Sequence, residues 1–432
     1  MVLGVLASLI DGVVSAPPSR AGVVVSNFTA PSMNNPYSIT AGPDGALWFT
    51  NSAGNSIGRI TTAGIVTSYT APGIVNPVDI TSGPDGALWF TYYADNGGSI
   101  GRITTAGVIT TYTDPSIIRP IGITAGPDGA LWFVNRGNGA TLAGESIGRI
   151  TTAGVVTNYT NPGINQPESI TAGPDGALWF TNTPVVGNGS IGRITTTGVV
   201  TIYTNPIIDV PYRITAGPDG AVWFTNLGGV PTGWIGRITT AGVVTQFTDP
   251  SIYGPRGITP GPDSALWFGL AGNEGSGGAV PASIGRITTA GVVTTYTDPS
   301  INSPNEITTG SDGALWFANQ GNNSIGRITT PLPLPLQITT VSLPPGTPRV
   351  AYSTSLVAIG GNPPYRWSVV SGTLPKGLDL KEATGVISGT PNRHDSGTYT
   401  FKVKVVDTKM KKTRDIPLTQ NTATKVLSIT VS

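Results

Sequence analysis

The sequence predicts an all-β chain: a seven-bladed β-propeller closed by its own N-terminal strand, followed by a smaller all-β domain. Three observations carry this. A phrase close to G-P-D-G-A-L-W-F recurs seven times, with its tryptophan at Trp48, Trp89, Trp132, Trp179, Trp223, Trp267 and Trp316. The intervals are 41, 43, 47, 44, 44 and 49 residues, a period that marks repeats too small to bury cores of their own. Within each period short apolar runs are broken by Gly, Pro and Asp and show no 3.6-residue spacing, which excludes helical solenoids. Charge then divides the chain. Residues 1–336 hold 12 Arg, no Lys and 18 acids, whereas residues 337–432 hold 8 Lys, 4 Arg and 5 acids. The net charge of +1 therefore conceals an acidic body and a basic C-terminal region, and the change of regime marks a domain boundary.

Taken in order, residues 1–21 form an apolar N-terminal segment. Met1 to Ile10 is apolar and Val14-Ser15-Ala16 resembles a small-residue cleavage site, but there is no basic start and Asp11 interrupts. This is an imperfect signal peptide, too short to span a bilayer. Gly22 to Thr29 reads as a strand. The second repeat shows what a unit contains: Asp79-Ile80-Thr81 is a strand, Gly83-Pro84-Asp85-Gly86 a hairpin turn, and Ala87 to Thr91 the next strand. A loop leads to the strand Ser99 to Thr104, and Thr105-Ala106-Gly107 turns into Val108 to Thr113. Four antiparallel strands in one period make a propeller blade. The seventh unit has three, because Pro331-Leu332-Pro333-Leu334-Pro335 follows Thr329. The N-terminal strand matches the missing fourth and closes the ring, removing exposed edges. The propeller spans 22–330, the stiff linker 331–336 and the second domain 337–432.

Strand alternation sorts the loops into two rims. The A-G-P-D-G and T-T-A-G turns fall on one and hardly vary; the second-to-third loops and blade connections fall on the other and vary widely. A constant face and a diversified one are expected where loops on a rigid scaffold carry binding. On the constant rim, seven turn aspartates face seven Gly-Arg arginines, and the expectation is structural Asp–Arg pairing rather than a metal array. The repeated tryptophans are read as core. On the variable rim, residues ahead of each innermost strand should ring the channel mouth. They are Tyr37 and Ser38, Asp79, Glu168, Tyr212 and Arg213, Arg256, and Asn305 with Glu306. Asp79 and Glu306 flank blade one and would form an acidic sector. Arg213 and Arg256 occupy adjacent blades and would clamp a carboxylate or phosphate. Trp234, Tyr253, Tyr92 and Tyr93 would add stacking surface. Each of these residues also fits ordinary rim polarity.

The phrases G-P-D-G-A-L-W-F-T and S-I-G-R-I-T-T-A-G resemble those of the virginiamycin B lyase (streptogramin lyase) family over residues 22–330. The resemblance implies a seven-bladed propeller and elimination-based opening of a cyclic depsipeptide by histidine and glutamate with magnesium. The residues depart from that chemistry. The propeller has no histidine, the single one being His394. After W-F-T stands mostly Asn: Asn51, Asn182 and Asn226, with Asn135 and Asn319 in W-F-V-N and W-F-A-N. Carboxylates left as candidate bases are Asp79, Glu145, Glu168, Asp209, Glu274 and Glu306, and nothing in the sequence selects one.

Residues 337–432 resemble the Ig-like domains appended to bacterial surface proteins. The motifs are Gly360-Gly361-Asn362-Pro363-Pro364-Tyr365-Arg366-Trp367-Ser368, Leu374-Pro375-Lys376-Gly377-Leu378 and Thr384-Gly385-Val386-Ile387-Ser388-Gly389-Thr390-Pro391. This implies an Ig-like β-sandwich with Trp367 as core anchor and closing strands Tyr399 to Val406 and Lys425 to Val431. His394, beside Arg393 and Asp395, reads as a surface-turn residue. The basic cluster Lys402, Lys404, Lys409, Lys411, Lys412 and Arg414 lacks interleaved aromatics, so nucleic acid is not expected. There is no cysteine, hence no disulfide or thiolate chemistry, and no segment of transmembrane length.

The expectation is a non-enzymatic, secreted or cell-surface protein reading a protein, peptide or glycan ligand on the variable face, with no catalytic residue, metal or cofactor. One alternative is a metal-dependent lyase with a carboxylate-based site, where magnesium would enter. Another is a virion or surface-filament component, assembling through its N-terminus or Ig-like domain.

Overall fold

A computed structural model describes residues 23–93, 97–137, 144–228, 233–273, 280–329, 336–340, 342–359, 364–393, 395–407 and 421–432. The N-terminal segment 1–21, most of the linker, Glu274, His394, and Lys409, Lys411, Lys412 and Arg414 lie outside these residues.

Blade 1 runs Pro36–Ala41, Leu47–Asn51, Ser56–Ile60 and Val66–Tyr69, from channel to periphery. Five more blades repeat this order. The seventh is built from Pro304–Thr309, Leu315–Asn319 and Ser324–Ile328, and its outer strand is Val25–Phe28. Val25 pairs with Ile328 and Phe28 with Ile325 in antiparallel register. The N-terminal strand thus closes blade 7 as the strand count requires, although it is shorter than Gly22 to Thr29.

Each blade buries its tryptophan completely. Trp179 stacks on Tyr203 of its own outer strand at 5.3 Å, and all seven tryptophans have such a partner, Phe28 serving Trp316. The following phenylalanine covers the glycine of the Gly-Arg strand: a Cβ at Gly192 would fall on the Phe180 ring. Glycine at that position is a packing requirement, repeated in every blade.

The constant rim carries the expected pairs, each within one blade. Seven arginines meet seven turn aspartates at 2.6–2.8 Å. The other carboxylate oxygen accepts the indole N–H of the same blade at 2.9–3.0 Å. The aspartate therefore ties turn, tryptophan and third strand together. Its loss should cost more than that of the arginine. Asp175→Ala leaves the Trp179 indole N–H buried without an acceptor, about 1–3 kcal/mol. Arg193→Ala removes a partly solvated ion pair, below about 1 kcal/mol. Urea denaturation of the two variants checks this; equal losses would refute it.

The C-terminal region forms two three-stranded sheets. One orders Arg366–Gly372, Gly397–Val406 and Thr422–Val431, the other Tyr352–Ser355, Val386–Gly389 and Leu378–Leu380. Gln337–Ile338 pairs with Ala358–Ile359. Between them Trp367 is buried with Phe401, Val403, Val405, Leu427 and Ile429, and Leu336 joins this cluster. Gly397–Val406 alternates buried and exposed residues as a sandwich strand should, leaving Lys402 exposed and Lys404 half-buried.

Candidate functional site at the channel mouth

Every innermost strand begins with Pro-x-x-Ile-Thr, except that blade 6 continues to Pro260 where others have Ala, Ser or Thr. In all seven blades the register slips between that proline and the isoleucine. The bulge falls on the two variable residues and re-aims them, a frequent device where strands carry a site. The first bulge positions are Tyr37, Val78, Ile121, Glu168, Tyr212, Arg256 and Asn305; the second are Ser38, Asp79, Gly122, Ser169, Arg213, Gly257 and Glu306. These rings occupy the variable-rim mouth, as the loop alternation predicts.

Threonine from the second strand fixes the bulges. Thr50 Oγ1 accepts the Ser38 N–H and donates to the Val78 carbonyl of the next blade. Thr91 and Thr181 make the same relay. Blades 3, 6 and 7 carry Val134, Gly269 and Ala318 at this position and so lack the hydroxyl.

Three blades converge on Arg213. Its guanidinium lies 4.8 Å from the Tyr212 ring centroid and 5.7 Å from that of Tyr37, and the two tyrosine hydroxyls hydrogen-bond across the channel at 2.9 Å. Arg213 Nε forms an ion pair with Glu306 Oε1, without the alignment of a hydrogen bond. Glu306 reaches Arg213 across blade 6, where a Cβ on Gly257 would stand 2.5 Å from Glu306 Oε2. Asp79 spans blades 1 to 3, accepting from Ser38 Oγ at 2.6 Å and from the Ile123 N–H at 2.9 Å; a Cβ on Gly122 would crowd the Glu168–Ile170 backbone of the next blade. A separate pair joins Glu168 to Arg136 at 2.7 Å.

Burial shapes the charges. It pushes the Tyr37 hydroxyl well above the usual phenol range, with the nearby Tyr212 oxygen adding to the effect. It pushes the Glu306 carboxyl up to about 7, against the pull of Arg213 and with the help of the Asp79 charge. Burial pulls the Arg213 guanidinium pKa down, but Glu306 and the two tyrosines outweigh it and hold it well above the usual arginine range.

Of the residues predicted for this mouth, Tyr37, Asp79, Tyr212, Arg213 and Glu306 come together, and Glu168 sits beside them with its own partner. Arg256 stands at the mouth without an ion pair among the described residues. Three expectations need correction. Trp234 is not rim stacking surface: it is buried, edge-on to Phe224 at 5.6 Å. Tyr92 is likewise buried, its hydroxyl donating to Thr111. The Arg213–Arg256 clamp does not form as two equivalent arms, because Glu306 already engages Arg213. Tyr93 does offer a ring, to Arg119 at 5.5 Å, and Tyr253 is half-buried in the connection before blade 6. Arg136, Gly122 and Gly257 were not anticipated. Aligning the repeats on Pro-x-x-Ile-Thr exposes the two glycines, because the other blades put larger side chains there.

The asparagines after W-F-T are structural. Asn182 Oδ1 accepts the Asn165 N–H, while Nδ2 donates to the Gly163 carbonyl and to Ser190 Oγ. The amide both accepts and donates here, whereas an ionised carboxylate only accepts and would face the Gly163 carbonyl unpaired. Blade 5 replaces the serine by Trp234, and Asn226 Nδ2 is left without a partner.

Magnesium, which the lyase resemblance implies, does not fit these residues. Among the described residues no three His, Cys, Asp or Glu side chains are placed to hold a metal ion. Between the carboxylates of Asp79 and Glu306, Arg213 already supplies the positive charge.

Fold and site together define a seven-bladed β-propeller with a plugged channel mouth, joined in sequence to an Ig-like domain. The model of the virginiamycin B lyase family matches residues 19–162 and 140–330, and the He_PIG Ig-domain model matches residues 330–432. The chain belongs to the virginiamycin B lyase family. A streptogramin B lyase structure is 33% identical with a TM-score of 0.60, covering 72% of this chain and 99% of that one. A catalytically inactive histidine-to-alanine virginiamycin B lyase from Staphylococcus aureus with quinupristin is 35% identical with a TM-score of 0.61, covering 71% and 99%. Hydrazine synthase from Kuenenia stuttgartiensis, 20% identical with a TM-score of 0.55 over 69% of this chain and 96% of that one, shares the fold alone. No curated protein matches the chain. No described helix is long and apolar enough to cross a membrane.

Proposed function

We propose that this protein is a non-enzymatic, extracytoplasmic binding protein whose ligand is read at the variable-rim mouth, with the Ig-like domain as spacer or adhesive module. The observation that carries this reading is the absence of histidine and cysteine from residues 22–330. The Staphylococcus aureus relative is described as inactive once a histidine becomes alanine, and this propeller has no histidine to supply. The charged groups at the mouth are instead engaged with each other, Arg213 with Glu306 and Glu168 with Arg136. Such pairs build a fixed polar surface, suited to recognition more than to proton transfer.

A second reading is a carboxylate-based lyase. It is favoured by Glu306, whose pKa of about 7 suits a general base, though its neighbour Arg213 opposes release of the carboxylate. Incubation of the protein with a streptogramin B and magnesium, followed by mass analysis, separates the two. The binding reading expects the ring intact; ring opening would overturn it.

A further inference from the structure

A net charge near zero hides two opposed surfaces. On the constant rim the seven Asp–Arg pairs cancel. The remaining charge of the propeller lies toward its variable rim, where eight acids stand against four arginines among the described residues. The described part of the Ig-like domain is the reverse, with eight lysines and arginines against four acids.

Each surface also carries an exposed apolar point beside its charge. In blade 4 the loop between second and third strands presents Val185 and Val186, 81% and 86% exposed, the most exposed large hydrophobics among the described residues. Hydrogen bonds hold this loop to the connection into blade 5. The Gly189 N–H donates to the Asp209 carbonyl at 2.7 Å, and Asn188 Nδ2 to that of Pro206 at 3.4 Å. Half-exposed Asp209 therefore stands at the base of the valine tip, and it joins none of the ion pairs among the described residues. In the Ig-like domain, the sheet of Arg366–Gly372, Gly397–Val406 and Thr422–Val431 contains no Asp or Glu. On its solvent face Lys402 lies opposite Val426 and Ser371, and Lys404 opposite Thr424. Such cross-strand neighbours are about 5 Å apart. Val426 is 59% exposed, and neither lysine joins an ion pair among the described residues. One surface thus offers valine beside lysine, and the other valine beside aspartate.

The chain cannot bring its own two surfaces together. Arg327 meets the Asp312 turn on the constant rim, so Thr329, two residues on, leaves blade 7 there. Six residues separate Thr329 from Leu336, and fully extended they reach at most about 25 Å. The valine tip lies three blades round the ring, on the opposite rim, beyond strands about 17 Å long.

We propose that copies of this chain associate head to tail, the solvent face of one Ig-like sheet seating on the blade 4 valine tip and Asp209 of the next copy. The two surfaces differ, so the contact generates a row or ring of copies and not a two-fold dimer. It uses outer loops of the variable rim, away from the mouth, and so goes beyond the binding reading above.

Sedimentation of the whole chain over a range of concentrations should give a mass that climbs past that of a dimer. Val186→Asp removes the apolar contact, and Lys402→Glu sets acid against acid. Each should weaken association at least tenfold, about the worth of one buried valine, with an unchanged melting temperature because both positions face solvent. Mixed in equal amounts, the two variants should form a one-to-one dimer and nothing larger, since one keeps a working sheet and the other a working tip. Salt at about 1 M, where the Debye length is about 3 Å, should weaken the wild-type association. A wild type that stays monomeric at millimolar concentration or stops at a dimer would overturn the proposal. So would association indifferent to salt or to either variant, or a mixture that remains monomeric. Those outcomes leave the binding reading standing, whereas streptogramin ring opening overturns that reading and not this one.

Discussion

A chain lacking residues 1–29 is expected to retain six intact blades and lose the seventh. The third strand Ser324–Ile328 would become an unpaired edge, and Trp316 would lose the Phe28 ring stacked on it at 5.3 Å. Val25 and Val23 also leave the cluster containing Phe317 and Ile328. Phe28 is half-buried, so losing its ring costs about 2–3 kcal/mol, below the range for a fully buried phenylalanine. Against an unfolding entropy of about 2.1 cal/mol/K per residue, that lowers the melting temperature of a propeller this size by roughly 3–5 °C. The exposed edge adds a tendency to pair with another chain. Phe28→Ala in the full chain should reproduce most of the loss. Phe28→Tyr should not, because the corresponding outer-strand residues include Tyr69, Tyr112 and Tyr203 in the same stack. Calorimetric scans of the three variants, with size-exclusion chromatography of the truncated chain, provide the measurement. A truncated chain that melts like the full one would show that closure by this strand contributes nothing.

That closure was legible because it depends on counting. Repeats fix the number of strands, and a ring with one strand missing must find it elsewhere in the chain. The Asp–Arg pairs were legible for the same reason: alternation places both residue types on one rim, and seven copies leave little freedom. The mouth was legible only as a list of residues. Sequence position put Tyr37, Tyr212, Arg213 and Glu306 on the ring, but contacts across a channel depend on side-chain reach, which periodicity does not encode. Trp234 shows the limit. It replaces the serine that begins the other Ser-Ile-Gly-Arg strands, and it reads as an exposed aromatic on a rim. In the fold the indole is buried instead, edge-on to Phe224. The asparagines show another. A residue after W-F-T suggests a site when read alone, yet Asn182 is occupied on both amide atoms by backbone and serine.

The other large effect is expected of Arg213→Met. Arg213 is buried at the mouth, ion-paired with Glu306 and packed over Tyr37 and Tyr212. Methionine keeps much of the apolar stem but leaves Glu306 buried without a countercharge. Breaking a buried pair by removing one partner costs about 3–5 kcal/mol. The penalty should depend on pH, with a definite sign. Glu306 is pushed up to about 7 in the fold against an ordinary value of 4.5, so the folded state holds the proton more tightly than the unfolded state. Its contribution favours folding fully below about 4.5 and is lost as pH rises toward 7. Without Arg213 the carboxylate is disfavoured further, so the deficit of Arg213→Met should be greatest at pH 8 and smaller at pH 5. Adding Glu306→Gln should recover much of the loss at pH 8, because a neutral amide needs no countercharge. The turn aspartates work in the opposite direction. Asp44, Asp85, Asp128, Asp175, Asp219 and Asp312 are held below the ordinary carboxylate value of 3.8. Their support is present above that value and is lost as pH falls through their folded pKa values, so pH 5 lies clear of it. Urea denaturation of the wild type, Arg213→Met and the double variant at pH 5 and pH 8 decides the matter. A deficit independent of pH, or one that Glu306→Gln does not relieve, would mean that Arg213 stabilises the mouth by packing on the tyrosines and not by neutralising Glu306.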